Sequence, residues 1–331
     1  MSVFPPPSST SLPSLPLPQI STNTVRRLLT TKRLLLFVVL LIVSAFITII
    51  LSFYGYIAWV LAHPTIDPLK SNPMLSAGLS FETIRFPSKT GKSMLNGWYI
   101  PTVSPSTKTI IFSHSYGGNR EEPWMPMYKL ASELHKREFN IIMFDYGYVK
   151  SDNRRVFTAG VKESQDLLGA IAYGKSRSAE EIIVWGFSMG AGTALQTALH
   201  TRDISAMILD STFLATPDNM YHNIAQKISI PKQPSIWILN VIFPLLNGTG
   251  FNQVPYHDVL KKAYPMPIFF IHGLEDERSP NAMIQHFAKN QSTNPLSSLW
   301  LRAGAPHEQV YDVDPKNYME KTMNFIAAVS L

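Results

Sequence analysis

The 331-residue chain contains no cysteine. This absence excludes disulfide bonds, thiolate metal sites and a cysteine nucleophile. The redox compartment stays open, because a chain without thiols tolerates oxidising and reducing surroundings alike. The metalloprotease motif H-E-x-x-H, the Walker loop and the dinucleotide-binding fingerprint are also missing. We therefore expect neither a metal ion nor another cofactor.

Acidic residues are missing from residues 1–33, whose charged side chains are Arg26, Arg27, Lys32 and Arg33. Elsewhere 25 basic residues stand against 23 acidic ones, so most of the formal charge of +6 lies near the N-terminus. A nucleic-acid-binding protein would carry its basic excess on the folded domain, so no nucleic-acid partner is expected. The segment is rich in Pro and Ser, which predicts a disordered tail.

Charge is absent again from Leu34 to Leu61, a run of 28 residues dominated by Leu, Ile, Val and Phe. As a helix this run would be about 42 Å long, against about 30 Å for the hydrocarbon core of a bilayer. We predict a transmembrane helix over residues 34–61. A signal peptide cleaved at Val60-Leu-Ala62 is the alternative, although its apolar region should hold only about 7–15 residues.

The orientation of this helix follows from the charges on either side of it. Basic residues precede the run, whereas Lys70 and Asp67 offset each other in the ten residues after it. The positive-inside rule then places the N-terminus in the cytoplasm and the following domain outside the cytoplasm. Tyr54, Tyr56 and Trp59 suit the aromatic belt at the far interface. We therefore expect a single-pass protein of the cell membrane.

The proline-rich residues 62–79 predict a linker, and strand-like and helix-like runs alternate through a domain over residues 80–331. The predicted strands are 81–86, 95–100, 109–114, 140–145, 181–187, 206–210, 268–272 and 297–301. The predicted helices are 125–136, 161–173, 189–200, 281–289 and 315–328. This alternation indicates an α/β fold with a mostly parallel, doubly wound sheet. Residues 211–265 contain no convincing strand, so we expect a helical insertion that lies as a lid over the strand ends.

The most specific motif is Gly186-Phe-Ser188-Met-Gly190, which lies between an apolar strand-like run and a helical run of small residues. In that context G-x-S-x-G is typical of a nucleophile elbow, a strained turn that exposes the serine hydroxyl. A serine hydroxyl is a poor nucleophile at neutral pH and needs an adjacent base. We predict Ser188 as the nucleophile; the alternative is an ordinary strand–helix turn with a fortuitous serine.

The base and the acid should follow the serine along the chain. Of nine histidines, only His286 and His307 follow both carboxylates considered for the acid, Asp210 and Asp276. His286 lies inside a helical pattern, which is typical of a helix-surface residue. His307 lies in a loop after the last predicted strand, where an imidazole can reach the serine, so we predict it as the base.

Asp276 lies in a carboxylate-rich loop 31 residues before His307, enough chain for one helix and one strand. We favour it as the acid. Asp210 ends a predicted strand and is the alternative acid, with Glu275 and Glu277 more remote.

An oxyanion hole needs backbone N–H donors. The elbow supplies Met189 N–H. The second donor should come from the loop His114-Ser-Tyr-Gly-Gly-Asn119, whose paired glycines allow a close backbone approach. We favour Tyr116 N–H, with Ser115 N–H as the alternative; an ordinary glycine-rich turn is the other interpretation.

These motifs resemble the α/β-hydrolase family, in particular bacterial membrane-anchored members known as serine aminopeptidase-like or dienelactone-hydrolase-like proteins. The resemblance covers about residues 80–330. It rests on the segments Leu95-Asn-Gly-Trp-Tyr-Ile-Pro101, His114-Ser-Tyr-Gly-Gly-Asn119, Gly186-Phe-Ser-Met-Gly-Ala-Gly192, His272-Gly-Leu-Glu-Asp276 and Pro306-His307-Glu308. It implies the α/β-hydrolase fold and that the Asp of the H-G-x-x-D run is the acid, which raises Asp276 over Asp210.

The sequence departs from the family pattern at two places. His114-Ser115 stands where the family usually has His-Gly, and a shortened run, 145–151, replaces D-x-R-G-x-G-x-S. The substitution at 115 crowds the oxyanion loop, and the shortened run lies near the pocket mouth.

The function that we expect is that of a carboxylesterase-like serine hydrolase. It would cleave a small acyl substrate through an acyl-enzyme, and the apolar lid weakly favours medium-sized apolar acyl groups. An aminopeptidase-like serine peptidase is the first alternative. A non-catalytic, membrane-anchored binding protein on a hydrolase scaffold is the second.

Overall fold

The computed structural model of the protein describes residues 22–149 and 155–330. The chain divides into two compact units at Ser52. The part of the predicted disordered tail that covers residues 1–21 lies outside the described residues.

One long apolar helix, α1, covers Thr22–Ala62. Its segment Thr30–Ala62 is long and apolar enough to cross a membrane, and a window of 18 residues within it has a mean hydropathy of 3.3. The helix begins twelve residues before the predicted span, because neither Gly nor Pro interrupts the chain between Thr22 and Leu34. Residues 22–33 of the predicted tail are therefore helical.

An eight-stranded sheet forms the centre of the unit that begins at Phe53. Its strands are β1 Glu82–Pro87, β2 Met94–Ile100, β3 Lys108–Ser113, β4 Asn140–Phe144, β5 Glu181–Phe187, β6 Ala206–Asp210, β7 Ile268–Gly273 and β8 Ser298–Arg302. Their order in the sheet is β1-β2-β4-β3-β5-β6-β7-β8. Only the β1–β2 and β2–β4 pairs are antiparallel. The predicted mostly parallel sheet is confirmed, and each strand lies within one residue of its predicted bounds.

Helices cover both faces of this sheet, as the predicted doubly wound architecture requires. In chain order they are α2 Pro73–Ala77, α3 Met127–His135, α4 Glu163–Ser176, α5 Met189–Thr197, α6 Pro217–Ala225, α7 Lys232–Asn247, α8 Tyr256–Lys261, α9 Asn281–Asn290, α10 Val310–Val313 and α11 Pro315–Val329. Helix α2 lies inside the predicted linker. It starts where the Asn72 side chain accepts the Leu75 N–H and ends at Gly78, whose φ is 65°.

The insertion between β6 and β7 is helical, as predicted. It contains α6, α7, a 3₁₀ turn at Phe251–Gln253, and α8. Helix α6 contacts the loop after β7, because His222 Nε2 lies 2.8 Å from the Glu277 carbonyl oxygen. The insertion is thus tied to the loop that carries Asp276.

The parallel strands are buried on both faces, which explains their nearly continuous apolar runs. Every residue of β4, β6 and β7 is buried. On one face the Phe112 ring packs against the rings of Trp185 and Phe187, at centroid distances of 5.7 and 6.2 Å. Loops after the carboxyl ends of β3 and of β5 to β8 meet at one edge of the sheet, where open α/β sheets bind their ligands.

Candidate active site

Ser188 lies at the turn between β5 and α5. Its φ of 48° and ψ of −113° are strained for a non-glycine residue, and its N–H donates to the Asp210 carbonyl oxygen at 2.8 Å. The flanking glycines are sterically required. A Cβ on Gly190 would lie 2.0 Å from the Ser113 carbonyl oxygen, and one on Gly186 would lie 2.6 Å from the Ala191 Cα. The turn therefore has the geometry of a nucleophile elbow.

A continuous chain of hydrogen bonds joins Ser188, His307 and Asp276. Ser188 Oγ lies 2.7 Å from His307 Nε2, and His307 Nδ1 lies 2.7 Å from Asp276 Oδ2. The other oxygen of Asp276 accepts the N–H groups of Arg278 and Ser279 at 2.9 and 2.8 Å. These bonds fix the carboxylate so that Nδ1 carries the proton and Nε2 faces the serine as an acceptor. The three predicted side chains thus lie in one hydrogen-bonded chain.

Asp210, the alternative acid, has other partners. Its carboxylate accepts hydrogen bonds from the Tyr318 and Ser211 hydroxyls at 2.7 and 2.9 Å. Burial raises the pKa of Asp210 to about 6. Among the hydrogen bonds of the described residues, none joins Asp210 to His307. Asp210 therefore lies beside the site without orienting its imidazole.

The remaining predicted alternatives lie away from the imidazole. Glu275 and Glu277 flank Asp276 with exposed side chains. His286 lies on α9, and its Nε2 is 2.9 Å from the Leu260 carbonyl oxygen. None of these three side chains belongs to the hydrogen-bonded chain of Ser188.

A second buried histidine, His272, supports the loop of Asp276, and the sequence reasoning assigned it no role. Its Nε2 lies 3.2 Å from the Ser279 carbonyl oxygen, which requires the proton on Nε2. Burial lowers the pKa of His272, so the ring is neutral. Its place in the H-G-x-x-D run is the signal that marks it.

The oxyanion loop follows β3. The Ser115 N–H donates to the Glu122 carboxylate, and Ser115 Oγ donates to the same carboxylate at 2.8 Å. Ser115 N–H is therefore engaged. The N–H groups of Tyr116 and Met189 have no partner among residues 22–149 and 155–330, so these two donors are free to bind an oxyanion.

The same bonds explain one departure from the family pattern. Glycine at position 115 would leave the Glu122 carboxylate without its hydroxyl donor, whereas Ser115 supplies two donors. Gly118 allows the close approach, because a Cβ there would lie 3.1 Å from Glu122 Oε1. The serine therefore braces the oxyanion loop.

Two buried glutamates border the site, and the sequence reasoning assigned neither of them a role. Burial raises the pKa of Glu122 to about 7, opposed by its bonds from Ser115. Burial, then the charge of Glu122, raises the pKa of Glu308 to about 8. Within the described chain, Glu308 Oε1 is buried without a hydrogen-bond partner. Both residues have positive φ, 40° and 61°. A carboxyl group next to His307 is thus held in its protonated form near neutral pH.

The end of α1 also contacts the oxyanion loop. The Tyr116 hydroxyl donates to the Leu61 carbonyl oxygen at 2.9 Å, and the Phe157 N–H donates to the Ala62 carbonyl oxygen at 2.9 Å. The rings of Tyr116 and Phe157 meet with centroids 4.6 Å apart. Ser188 itself is only 6% exposed, so the site is nearly closed. The last turn of the apolar helix therefore forms part of the wall around the site.

A family model and several known proteins match parts of this chain. Residues 108–237 match the family model described as the α/β hydrolase fold. The chain is 26% identical over 259 residues to the uncharacterised protein YfhR of Escherichia coli (strain K12), which covers 75% of this chain and 81% of YfhR. The quorum-quenching protein AidA of Acinetobacter baumannii (strain MDR-ZJ06) is 28% identical over 120 residues, 35% of this chain and 38% of AidA.

Solved structures extend the likeness to most of the chain. The esterase Pf2001 of Pyrococcus furiosus has a TM-score of 0.65 and 23% sequence identity, over 80% of this chain and 99% of the esterase. Est1E of Butyrivibrio proteoclasticus, solved with ferulic acid bound, has a TM-score of 0.54 and 18% identity, over 73% and 99% of the two chains. With the observed sheet order and elbow, these similarities show that the chain has the α/β-hydrolase fold.

Proposed function

We propose that the protein is a serine hydrolase that cleaves a carboxylic ester through an acyl-enzyme intermediate. The observation that carries this proposal is the unbroken chain of hydrogen bonds from Ser188 through His307 to Asp276. A serine hydroxyl becomes nucleophilic when a neighbouring imidazole accepts its proton, and a buried carboxylate stabilises the imidazolium that forms.

The reaction follows from this geometry in two stages. His307 Nε2 takes the proton of Ser188 Oγ as the oxygen attacks the ester carbonyl carbon. The N–H groups of Met189 and Tyr116 stabilise the oxyanion, and His307 then gives its proton to the departing alkoxide. In the second stage His307 activates a water molecule that releases the acid and restores Ser188. Asp276 orients the imidazole throughout without taking up the proton.

An ester is the bond that the available observations favour. Pf2001 and the Thermogutta terrifontis enzyme among the similar structures are both described as esterases. A peptidase is an outcome to be tested with an aminoacyl amide.

The same proposal includes a location. Residues 34–61 would anchor the protein in the membrane, with the tail before them in the cytoplasm and the unit from Phe53 outside the cytoplasm. The apolar segment Thr30–Ala62 and the basic residues before it support this orientation. Protease added to intact cells should degrade the outer unit and leave a cytoplasmic marker protein intact; protection of both would contradict the orientation.

The catalytic proposal is tested with a fluorophosphonate probe and a short-chain p-nitrophenyl ester. The full-length protein should be labelled at Ser188. Ser188→Ala and His307→Ala should each lower turnover by about 10⁶-fold, because the nucleophile and the base act as a unit. His286→Ala, which changes a histidine on α9, is the matched control and should keep its activity. A folded protein that neither labels nor turns over an ester, thioester or amide would overturn the proposal.

A further inference from the structure

Helix α7 of the insertion exposes apolar side chains where a surface helix normally carries polar ones. Trp237, Val241 and Leu245 follow one another at intervals of four residues, and they are 66%, 43% and 78% exposed. The opposite face of the helix is buried through Leu239 and Phe243. No charged residue follows Lys232 in α7. The exposed row is therefore apolar from Trp237 to Leu245.

Helix α7 contacts α1 near Tyr54 and Gly55. The buried Tyr54 hydroxyl lies 2.6 Å from Ser235 Oγ at the start of α7. At the other end of α7, Leu246 Cδ1 would lie 3.9 Å from a Cβ on Gly55. Exposed aromatic side chains continue along this end of α1. Together the two helices carry what we call the apolar face: Phe53, Tyr56, Trp59, Trp237, Val241 and Leu245.

The length of the apolar run places this face at the membrane surface. The run of 28 residues exceeds the hydrocarbon core by about 12 Å, or about eight residues. If Lys32 and Arg33 mark the cytoplasmic boundary, the far boundary lies near Phe53. The residues beyond it include Tyr56 and Trp59, and Tyr and Trp prefer the interface between lipid and water. Helix α7, which is bound at Tyr54 and Gly55, then lies at the same depth.

We infer that the apolar face of α7 and of the end of α1 is immersed in the lipid interface, and that the enzyme takes its ester from the bilayer. Charge would oppose such immersion, and this face carries none. The contact with lipid does not depend on the proposed function, whereas the uptake of an ester from the bilayer rests on it. Its substrate class is an amphiphilic ester whose acyl chain partitions into the membrane.

Two elements next to the apolar face also contact loops around Ser188. The carbonyl oxygens of Leu61 and Ala62, at the end of the same helix, bind Tyr116 and Phe157 beside the oxyanion loop. Helix α6, which precedes α7 in the insertion, bonds to the loop of Asp276. Elements that border the apolar face therefore also border the site.

The chain contains no cysteine, so a single introduced cysteine can be spin-labelled without first replacing native ones. Full-length Trp237→Cys, Val241→Cys and Leu245→Cys variants are spin-labelled and placed in phosphatidylcholine–phosphatidylglycerol vesicles. Labels on the apolar face should be accessible to oxygen and shielded from a water-soluble nickel chelate. The control is Val103→Cys, whose parent side chain is 93% exposed in the loop between β2 and β3 and should stay open to the chelate.

Two outcomes would overturn the lipid contact. Chelate access equal to that of the Val103→Cys label would mean that the face lies in water. Spin–spin broadening that disappears on dilution with unlabelled protein would mean that a second copy of the chain covers the face.

Activity tests the second half of the inference. The double variant Trp237→Glu/Leu245→Glu should hydrolyse a long-chain ester held in vesicles at least tenfold more slowly than the parent protein. Its turnover of soluble p-nitrophenyl acetate should be unchanged, because neither side chain touches Ser188 or its partners. An equal loss on both esters would contradict uptake from the bilayer. If the labels report lipid but Ser188 does not react with fluorophosphonate, the proposed function fails while the membrane surface stands.

Discussion

Two buried aspartates follow neighbouring strands at the same edge of the sheet, yet they differ in what donates to them. Asp276, after β7, accepts hydrogen bonds from His307 Nδ1–H and from two backbone N–H groups. Asp210, at the end of β6, accepts two hydroxyl groups, and burial raises its pKa to about 6. Position at the sheet edge is thus common to both. The donor set separates a carboxylate that can orient a base from one that is held inside the fold.

The largest expected effect is a difference in kcat between variants of the two aspartates. Asp276→Asn should lower kcat for a p-nitrophenyl ester by about 10⁴-fold, because an amide no longer holds the required tautomer of His307. Asp210→Asn is the matched control and should change kcat by less than about tenfold, since Asp210 does not bond to the imidazole. Steady-state kinetics on both variants measure the difference. The reverse order of losses would assign the acid to Asp210.

The next effect concerns how much the hydrogen bond from Tyr318 to Asp210 stabilises the fold. Tyr318→Phe removes the hydroxyl that donates to Asp210 Oδ2 inside the core. The free energy of unfolding should fall by about 1–3 kcal/mol, because a buried carboxyl group loses a partner. The kcat of the folded enzyme should stay within about threefold of the parent, because catalysis passes through Asp276. Urea unfolding in detergent micelles, followed by tryptophan fluorescence, measures the first quantity. A large loss of kcat without loss of stability would show that Asp210 takes part in catalysis.

A third prediction extends the comparison to Glu308. Its folded-state pKa, about 8, lies above the ordinary value of 4.5, so the folded protein binds more protons than the unfolded chain between those values. Stability should therefore fall as pH rises from about 4.5 to 8. Glu308→Gln removes the ionisable group and should remove its contribution to this slope, which is at most about 1.4 kcal/mol per pH unit. The free energy of unfolding at pH 5, 6.5 and 8 measures it.

The parent protein, unfolded at the same three pH values, is the control for this titration. A Glu308→Gln variant with the parent slope would mean that Glu308 is already ionised in the folded protein.

Part of the fold and of the candidate site could be predicted from the sequence. The eight strands were predictable because strands buried on both faces read as apolar runs between turns. Ser188, His307 and Asp276 each follow a strand end in a short motif, so their meeting could be expected from topology. The prediction could not include Glu122, because its bond to Ser115 depends on a local fold of the loop and buried glutamates are uncommon. The five-residue helix α2 is too short to show periodicity.

The same limit applies to the contact between α1 and the oxyanion loop. Tyr116 and Leu61 are 55 residues apart, and no periodic pattern links them. Their hydrogen bond exists because α1 continues past Ser52 into the unit that begins at Phe53, where Ile57, Ala58 and Ala62 are buried. The boundary between the transmembrane helix and the linker, at residues 61 and 62, stays a prediction, whereas the contact made by the last turn of α1 could be seen only in the fold.

The smallest effect is expected where the acceptor is a neutral carbonyl instead of a carboxylate. Tyr116→Phe removes the hydroxyl that donates to Leu61 and keeps the Tyr116 N–H, which the mechanism uses. A neutral hydrogen bond contributes about 0.5–1.5 kcal/mol, less than a bond to a charged group. The variant should therefore lose about two- to tenfold in kcat, through a less firmly held oxyanion loop, with KM little changed. Tyr148→Phe, which removes a hydroxyl that donates to the Ser115 carbonyl oxygen at 3.2 Å, gives the matched comparison inside the catalytic unit. If Tyr116→Phe lost as much activity as Asp276→Asn, the end of the apolar helix would rank with the acid as a determinant of the catalytic geometry, and the distinction between charged and neutral acceptors would fail.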